Sequence, residues 1–488
     1  MIYIGLLRIL TDAASPSAFH NSGSRHDPPK CQENTRVAVL KKLKDWVVGA
    51  DPETKDKWIM WMYGGAGAGK SAIGQTFAEK CDDEGQLLAS FFFGRSDATR
   101  NNAKFLIPTI ACQVYERVPQ ARNKILTAID NDPMIFNKTL LIQLESLVIE
   151  PLMQLEGIVT RNVIILDGLD ECLETTSQTA ILRALFDGVQ RPNSRIFFLV
   201  VSRPEHDIVT TFSLQDNAIL ARLVLDDKYR PNKDIELFLN DKIRVIKETH
   251  PFRHLIPEEW PTENAIWDIV RKSSGQFIYV SIAVKFIQSI RHRPNERMAI
   301  VRNLRPAQGA MPFAELDALY THILSSVQDV SIIVEILSFV LYVSEVDEYV
   351  TVAVLEEIHD LEPGSLQLIL CDLGSLVVID EDDRLHVSHA SLLDFLLDPS
   401  RSKDLPISGN ALMTKHITTC FHFLSSMCIA LNNGFHDLKA PLQRIKSATV
   451  PFTLLIAQRL LLRSCSVIQT VSPYSPRIWW KRSKGSPF

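Results

Sequence analysis

Paired cysteines, a long uninterrupted apolar run and an excess of one charge are all missing from this sequence, and each absence removes a class of function. The eight cysteines, Cys31, Cys81, Cys112, Cys172, Cys371, Cys420, Cys428 and Cys465, are scattered with no CxxC spacing. That excludes a disulfide framework and a zinc knuckle, and reads as buried thiols in a reducing compartment, so a cytoplasmic protein is expected. The N-terminal "MIYIGLLRILTDAAS" lacks a basic lead and carries Arg8 inside the run, unlike a signal peptide. "FIYVSIAVKFIQSI" (277–290) is broken by Lys285 and "VPFTLLIAQRLLL" (450–462) by Arg459, and each falls short of the ~20 apolar residues that a span needs. No membrane partner is expected. With 52 Lys and Arg against 57 Asp and Glu, the chain has no general attraction for nucleic acid. No internal repeat and no supported Ser-His-Asp or Cys-His constellation is found.

The remainder is an ordinary globular composition, 46% apolar and 22% charged, in 488 residues. That length suits roughly two to four domains. Residues 1–36, rich in Ser, His, Asn and Pro, read as an irregular lead-in. From 37 to 226 a helix ("TRVAVLKKLKDWV") precedes five short apolar runs: "WIMWMY" (58–63), "LLASFFF" (87–93), "NVIILD" (162–167), "RIFFLVV" (195–201) and "AILARLVL" (218–225). Continuous apolarity suits strands covered on both faces, so an α/β core with a parallel sheet is expected. Residues 227–312 read as helices, with the segment beyond Gly275 apolar nearly all round and therefore buried. Across 313–400 helices continue, interrupted by a hairpin in which Leu376, Val378, Leu385 and Val387 flank an acidic turn, as in a small winged-helix domain. Residues 401–488 start helical and end in a polar, basic tail expected to be disordered.

Glycine is sparse, yet four of its 20 residues fall within six positions of "YGGAGAGKSA". Gly64, Gly65, Ala66, Gly67, Ala68, Gly69, Lys70, Ser71 and Ala72 follow an apolar run and open a helical pattern. The GxxxxGK[ST] spacing in that context is a phosphate cradle. Backbone N–H groups converge on phosphate oxygens, and side chains would block the approach. Lys70 would reach the β- and γ-phosphates of a nucleotide, and the Ser71 hydroxyl would ligate Mg²⁺.

Such a site needs an acid at the end of another buried strand. Asp167 ends "NVIILD" and is the expected holder of Mg²⁺, a cation that prefers oxygen ligands. Asp170 and Glu171, just beyond it, fit two roles: orienting or deprotonating an attacking water, or serving as the N-cap and first-turn acid of a helix. Arg203, in "FFLVVSRPE", lies past a third strand end, where open α/β sheets bind ligands. It can stabilise γ-phosphate charge or be a solvated loop residue. Arg95 and Arg100 leave the same choice open.

These segments resemble the NACHT-domain signal-transducing P-loop NTPases, the fungal ones above all. The resemblance runs from about residue 19 to 430, through "MYGGAGAGKSAIGQTFAE", "SFFFGRSDATR", "VIILDGLDEC", "VVSRPE", "SSGQFIYVSIAVKFI", "LDALYTHILSSV" and "VSHASLLDFLLD". It implies an ATPase core, a helical domain and a winged-helix domain that clamp ATP or ADP with Mg²⁺. Such proteins hydrolyse ATP slowly, rest with ADP and form homo-oligomers once a signal arrives. By the same resemblance Asp167 is the Mg²⁺ aspartate, Asp170 and Glu171 the extended acidic pair, and Arg203 the sensor arginine. His389 matches a winged-helix histidine that touches the ADP β-phosphate, where its own surroundings in sequence suggest only a core or surface histidine.

The chain departs from the family pattern in having about 36 residues before the core and under 90 after "DFLLD", with no repeat. A minimal form or lost ends are the two readings. Upstream and downstream protein partners stay unknown, and no motif separates ATP from GTP. A non-hydrolysing nucleotide scaffold and a small-molecule phosphotransferase are the alternatives to a switch. The acidic "IDEDDRLH" at the wing position excludes a DNA phosphate contact. His416, Cys420, His422 and Cys428 lack compact zinc spacing.

Overall fold

The computed structural model describes residues 2–403 apart from 26–27, 96, 154–161, 191–195, 216–217, 227–228, 230, 306–312, 328, 345–350 and 381, together with 405, 416 and 418–419. Two compact units result. One holds 1–323 with 374–376 and 388–392; the other holds 324–373, 377–387 and the chain from 393. Their division coincides with none of the domain boundaries expected from the sequence.

In the first unit, α1 (Ile2–Ala13) and α2 (Val37–Val48) lead into β1 (Ile59–Tyr63), α3 (Lys70–Asp83) and β2 (Leu87–Phe92). Then come α4 (Leu106–Arg117), α5 (Arg122–Asn131), α6 (Leu140–Leu144), a π-turn, α7 (Glu150–Met153) and β3 (Asn162–Asp167). The core closes with α8 (Thr175–Val189), β4 (Ile196–Ser202), α9 (His206–Ser213) and β5 (Leu220–Val224). The helical part of this unit is α10 (Pro231–Thr249), α11 (Glu263–Ser273), α12 (Phe277–Ile287), α13 (Pro294–Asn303) and most of α14 (Ala314–Ser325).

All five apolar runs are strands, and they form one parallel sheet in the order β2-β3-β4-β1-β5. This is the P-loop NTPase type of α/β fold. Side chains alternate across a strand, and here both sets are buried. Ile196, Phe198 and Val200 of β4 enter one core, and Phe197, Leu199 and Val201 enter the other. The first core is completed by α1, α4, α5, α8 and α9, and the second by α2 and α3. A half-exposed strand would have alternated; this one has no polar side to show. Each such side chain contributes about 1.5–3 kcal/mol on burial.

Residues 1–36 are not the irregular lead-in that their composition suggests. They begin with α1, which packs on α4 and α5 through buried Leu10 and Ala14. Leu6, Leu10 and Ala14 recur every four residues on the packed face while Ile4 and Ile9 stay exposed, a signal outweighed in the sequence by the Ser, His and Pro that follow.

The helix pair α11 and α12 is separated where the sequence places Ser-Ser-Gly: Ser274 and Gly275 both adopt left-handed backbone, at φ +49 and +79°. Beyond them α12 is buried from Ile278 to Ile287 except at Ser281 and Lys285. In the second unit, α15 (Val330–Ser344), α16 (Val352–Ile358) and α17 (Ser365–Leu370) precede the expected hairpin, β6 (Val377–Ile379) against β7 (Leu385–Val387). Helices α18 (Ala390–Leu397) and α19 (Pro399–Ser402) follow. The chain from 420 on, with the expected tail and Cys420, His422 and Cys428, lies outside the described residues. Among the described residues no single helix is long and apolar enough to cross a membrane.

Candidate nucleotide site at the carboxyl edge of the sheet

Strand order brings the motif residues together. β4 lies between β1 and β3, with Tyr63 opposite Ser202 and Val201 opposite Asp167. Neighbouring strands are about 4.8 Å apart. The glycine loop after Tyr63, Arg203 after Ser202, and Asp167 therefore line one edge. Ser202 itself is structural, its hydroxyl accepting from the Trp61 indole at 2.9 Å.

The loop turns twice through left-handed backbone, at Gly67 (φ +74°) and Gly69 (φ +85°), and enters α3 at Lys70. A Cβ on Gly67 would sit 2.1 Å from Ile278 Cγ2. At this position glycine is required by the protein itself as well as by any phosphate. Lys70 Nζ donates to the Gly64 and Gly65 carbonyls at 2.9 and 3.0 Å. Burial lowers the Lys70 ammonium from its ordinary value, while Asp170 opposes that shift.

Asp167 is buried at 3% exposure, and its Oδ1 has no hydrogen-bond partner among the described residues. Burial pushes its carboxyl up to about 6, against a hydrogen bond from Ser71 and the charges of Arg25 and Lys70. Space for that oxygen is made by Gly74, where a Cβ would lie 2.8 Å from Oδ1. A buried carboxylate oxygen left unpaired is costly. Together with the adjacent Ser71 hydroxyl it fits a hard divalent cation such as Mg²⁺, which takes oxygen donors.

Asp170 and Glu171 do not start a helix. They occupy one 3₁₀ turn (Leu169–Glu171), and α8 begins only at Thr175. The two acids separate in role. Asp170 accepts the Arg203 backbone N–H at 2.9 Å and faces its Nε at 3.2 Å. Glu171 accepts the Arg95 N–H at 3.1 Å. Burial first, then the Asp170 charge, pushes the Glu171 carboxyl up to about 7. Arg100 is half-buried and tied to backbone. Its guanidinium closes the end of β2 by donating to the Phe92 and Phe93 carbonyls at 2.9 and 3.2 Å.

His389 follows β7 and is half-buried, with its Nε2 sequestered and without a partner among the described residues. Burial, then Lys285, pushes its imidazole down to about 3, so it is neutral. Lys285 lies seven residues along α12 from Ile278, about 10 Å by helical rise. No described hydrogen bond joins His389 to the loop.

Three contributors escaped the sequence reading. Arg25 stacks on Phe92, with its Cζ 3.8 Å from the ring centroid, and donates to Gln75 Oε1 at 2.7 Å. Phe92 is the strand neighbour of Asp167. Burial, then Arg100, lowers the Arg25 guanidinium to about 10. Arg36 donates to the Ala68 carbonyl at 2.8 Å. Neither arginine stands in a periodic pattern that would have flagged it. Gly74 did carry a signal, since glycine in a helix interior costs about 0.5–1 kcal/mol and implies a close approach.

Residues 38–203, from α2 to Arg203, match the sequence model of the family described as Nephrocystin 3, N-terminal. No curated protein matches the chain. Among solved structures it is similar to the Walker-type ATPase of Pyrococcus abyssi, at 14% identity and TM-score 0.36, covering 75% of this chain and 98% of that one. It is also similar to the Aeropyrum pernix ORC2 protein in ADPNP–ADP complexes, at 16% identity and TM-score 0.34, covering 76% and 94%. The Drosophila ORC bound to DNA stands at 12% identity and TM-score 0.34, covering 76% and 95%.

Proposed function

We propose that this chain is a nucleotide-operated switch of the NACHT type. It binds ATP or ADP with Mg²⁺, hydrolyses ATP slowly, and changes conformation and self-association with the nucleotide bound. The observation that carries the reading is the unpaired, buried Asp167 Oδ1 beside Ser71, directly behind a glycine loop that ends in Lys70. Lys70 would leave the Gly64 and Gly65 carbonyls for the β- and γ-phosphates. Asp167 and Ser71 would hold the cation, which neutralises phosphate charge when bound.

Glu171 is the base in this scheme. Its raised carboxyl titrates near neutral pH, where a general base works best, and it takes the proton of the attacking water. Asp170 holds Arg203 at the edge, from where the guanidinium stabilises charge on the transferring phosphoryl group. His389 would contact the ADP β-phosphate as a neutral imidazole, consistent with its unpaired Nε2. No motif separates an adenine from a guanine nucleobase, so GTP is tested beside ATP.

Phosphate release from ATP without any second substrate, and mass by light scattering with ADP and with a non-hydrolysable ATP analogue, test this reading. The expected result is slow acceptor-independent release and a larger assembly with the analogue. Release that requires an acceptor would mean a phosphotransferase. Equal mass in both nucleotides, without release, would leave a scaffold and contradict the switch.

A further inference from the structure

Arg36 is almost wholly buried, at 4% exposure, and holds a left-handed backbone (φ +56°) just before α2. A non-glycine residue keeps such a conformation only when its surroundings over-determine it. Three elements of the first unit do so. The Arg36 N–H donates to Asp234 Oδ2 on α10 at 3.1 Å, and the Arg36 Nε lies 4.0 Å from the same oxygen. Nη2 donates to the Ala68 carbonyl of the phosphate loop at 2.8 Å. Its Cζ lies 4.7 Å from the ring centroid of Phe277, the first residue of α12. Burial lowers the guanidinium from its ordinary value and the Asp234 charge opposes that, so the group keeps a partner for its charge.

The contact with Ala68 has a consequence for the loop. In a planar trans peptide the C=O and the N–H point in opposite directions. Holding the Ala68 carbonyl toward Arg36 therefore turns the Gly69 N–H to the other side of the loop, the side a phosphate would occupy. The preceding carbonyl, Gly67, is used in the same way: it accepts the Ile278 N–H of α12 at 3.4 Å. Two successive loop carbonyls are thus engaged by the helical part, one directly and one through Arg36.

We propose that Arg36 is a positioning residue of the phosphate loop: it orients the Ala68–Gly69 peptide and ties that peptide to the first turn of α12. The proposal rests on the nucleotide reading above. A planar guanidinium can stack and donate at once, which an ammonium cannot. The loop's fit to phosphate and the docking of α12 are then one event.

The test compares the full chain with Arg36→Met and Arg36→Lys, each checked for a cooperative melt. Two quantities are read: the Kd for a fluorescent ADP analogue with Mg²⁺, and amide hydrogen exchange at 277–281 without nucleotide. Arg36→Met should weaken ADP about tenfold, with Arg36→Lys between it and the parent. Exchange at 277–281 should quicken in the same order. A folded Arg36→Met protein with Kd within about threefold of the parent overturns the proposal. Should Arg36→Met fail to fold, Arg36→Lys decides alone: an intermediate Kd supports the role, and a parental one overturns it. A parent that binds no ADP sinks the nucleotide reading instead. The tie to α12 is then judged by exchange alone, with equal rates in parent and variants overturning it.

Discussion

Two polar clusters lie against helix α3, and they satisfy their charges in opposite ways. Near its start, Ser71 and Gly74 face Asp167, a buried carboxylate with one oxygen unpaired, and Glu171 nearby has its carboxyl pushed up to about 7. Farther along, Gln75, Glu79 and Asp82 face the segment after α1, and there the bonds close. His20 pairs with Ser90 through its backbone N–H at 2.9 Å and with Asp82 through Nε2 at 3.2 Å. Asp82 also holds Arg117, Gln75 bridges Arg25, the His20 carbonyl and Glu79, and Lys30 covers Glu79 at 2.8 Å. Buried polar groups are normally paired, and strongly shifted carboxyls cluster at functional sites. In the proposed function the first cluster carries the chemistry, and the second holds the fold together.

The largest expected effect comes from Glu171→Gln. ATP binding should persist while hydrolysis falls by roughly a hundred- to ten-thousandfold. The parent rate should rise with pH through about 7 and level off above it, because a carboxyl with a raised pKa must lose its proton to act as a base. Asp170→Asn removes the charge that faces Arg203 and also acts on Lys70 and Glu171, and about a tenfold loss is expected, with binding kept. Equal losses in the two variants, measured by single-turnover phosphate release, would erase the distinction between the acids.

How much of this could be read before the structure depends on how local the signal is. β1 to β4 announce themselves because each is covered on both faces and so carries an unbroken apolar run, whereas the edge strand β5 is broken by an exposed Arg222. The loop from Gly64 to Ser71 and the strand-end Asp167 and Arg203 are equally local, a motif and three strand ends. The pairing of Asp170 with Arg203 was not legible, since the two are 33 positions apart and meet only through the order of β3 and β4. Arg25, Arg36 and His20 stand in a Ser-, His- and Pro-rich stretch with no period of 2 or 3.6. Their partners, at Gln75, Ala68 and Ser90, are supplied by tertiary packing alone.

A smaller effect is expected at the boundary between the two clusters. Gly74→Ala puts a methyl 2.8 Å from Asp167 Oδ1 and should displace that carboxylate. Overpacking of this kind costs about 1–3 kcal/mol. The Mg²⁺ dependence of nucleotide binding should weaken by roughly tenfold, while binding without Mg²⁺ changes little. An unchanged Mg²⁺ titration would mean that Oδ1 is not a metal-facing atom.

The smallest effect on the site should come from the second cluster. His20→Ala removes the ring contacts to Ser90 and Asp82 while keeping the backbone bond to Ser90, costing about 1–3 kcal/mol of stability in a denaturant melt. Nucleotide Kd should stay within about threefold of the parent. A large loss of affinity without loss of stability would show that the cohesive cluster takes part in binding, and the contrast between the two would fail.

The most direct test of the central claim is a calorimetric titration of ADP with Mg²⁺ into the parent and into Lys70→Ala, at equal protein concentration and with matched melting curves. The account predicts saturable binding in the parent and none detectable in Lys70→Ala, because in the proposed function Lys70 leaves the Gly64 and Gly65 carbonyls to serve as the loop's cation for the phosphates. Saturable binding in Lys70→Ala with a Kd within about threefold of the parent, or no binding in a folded parent, would contradict it.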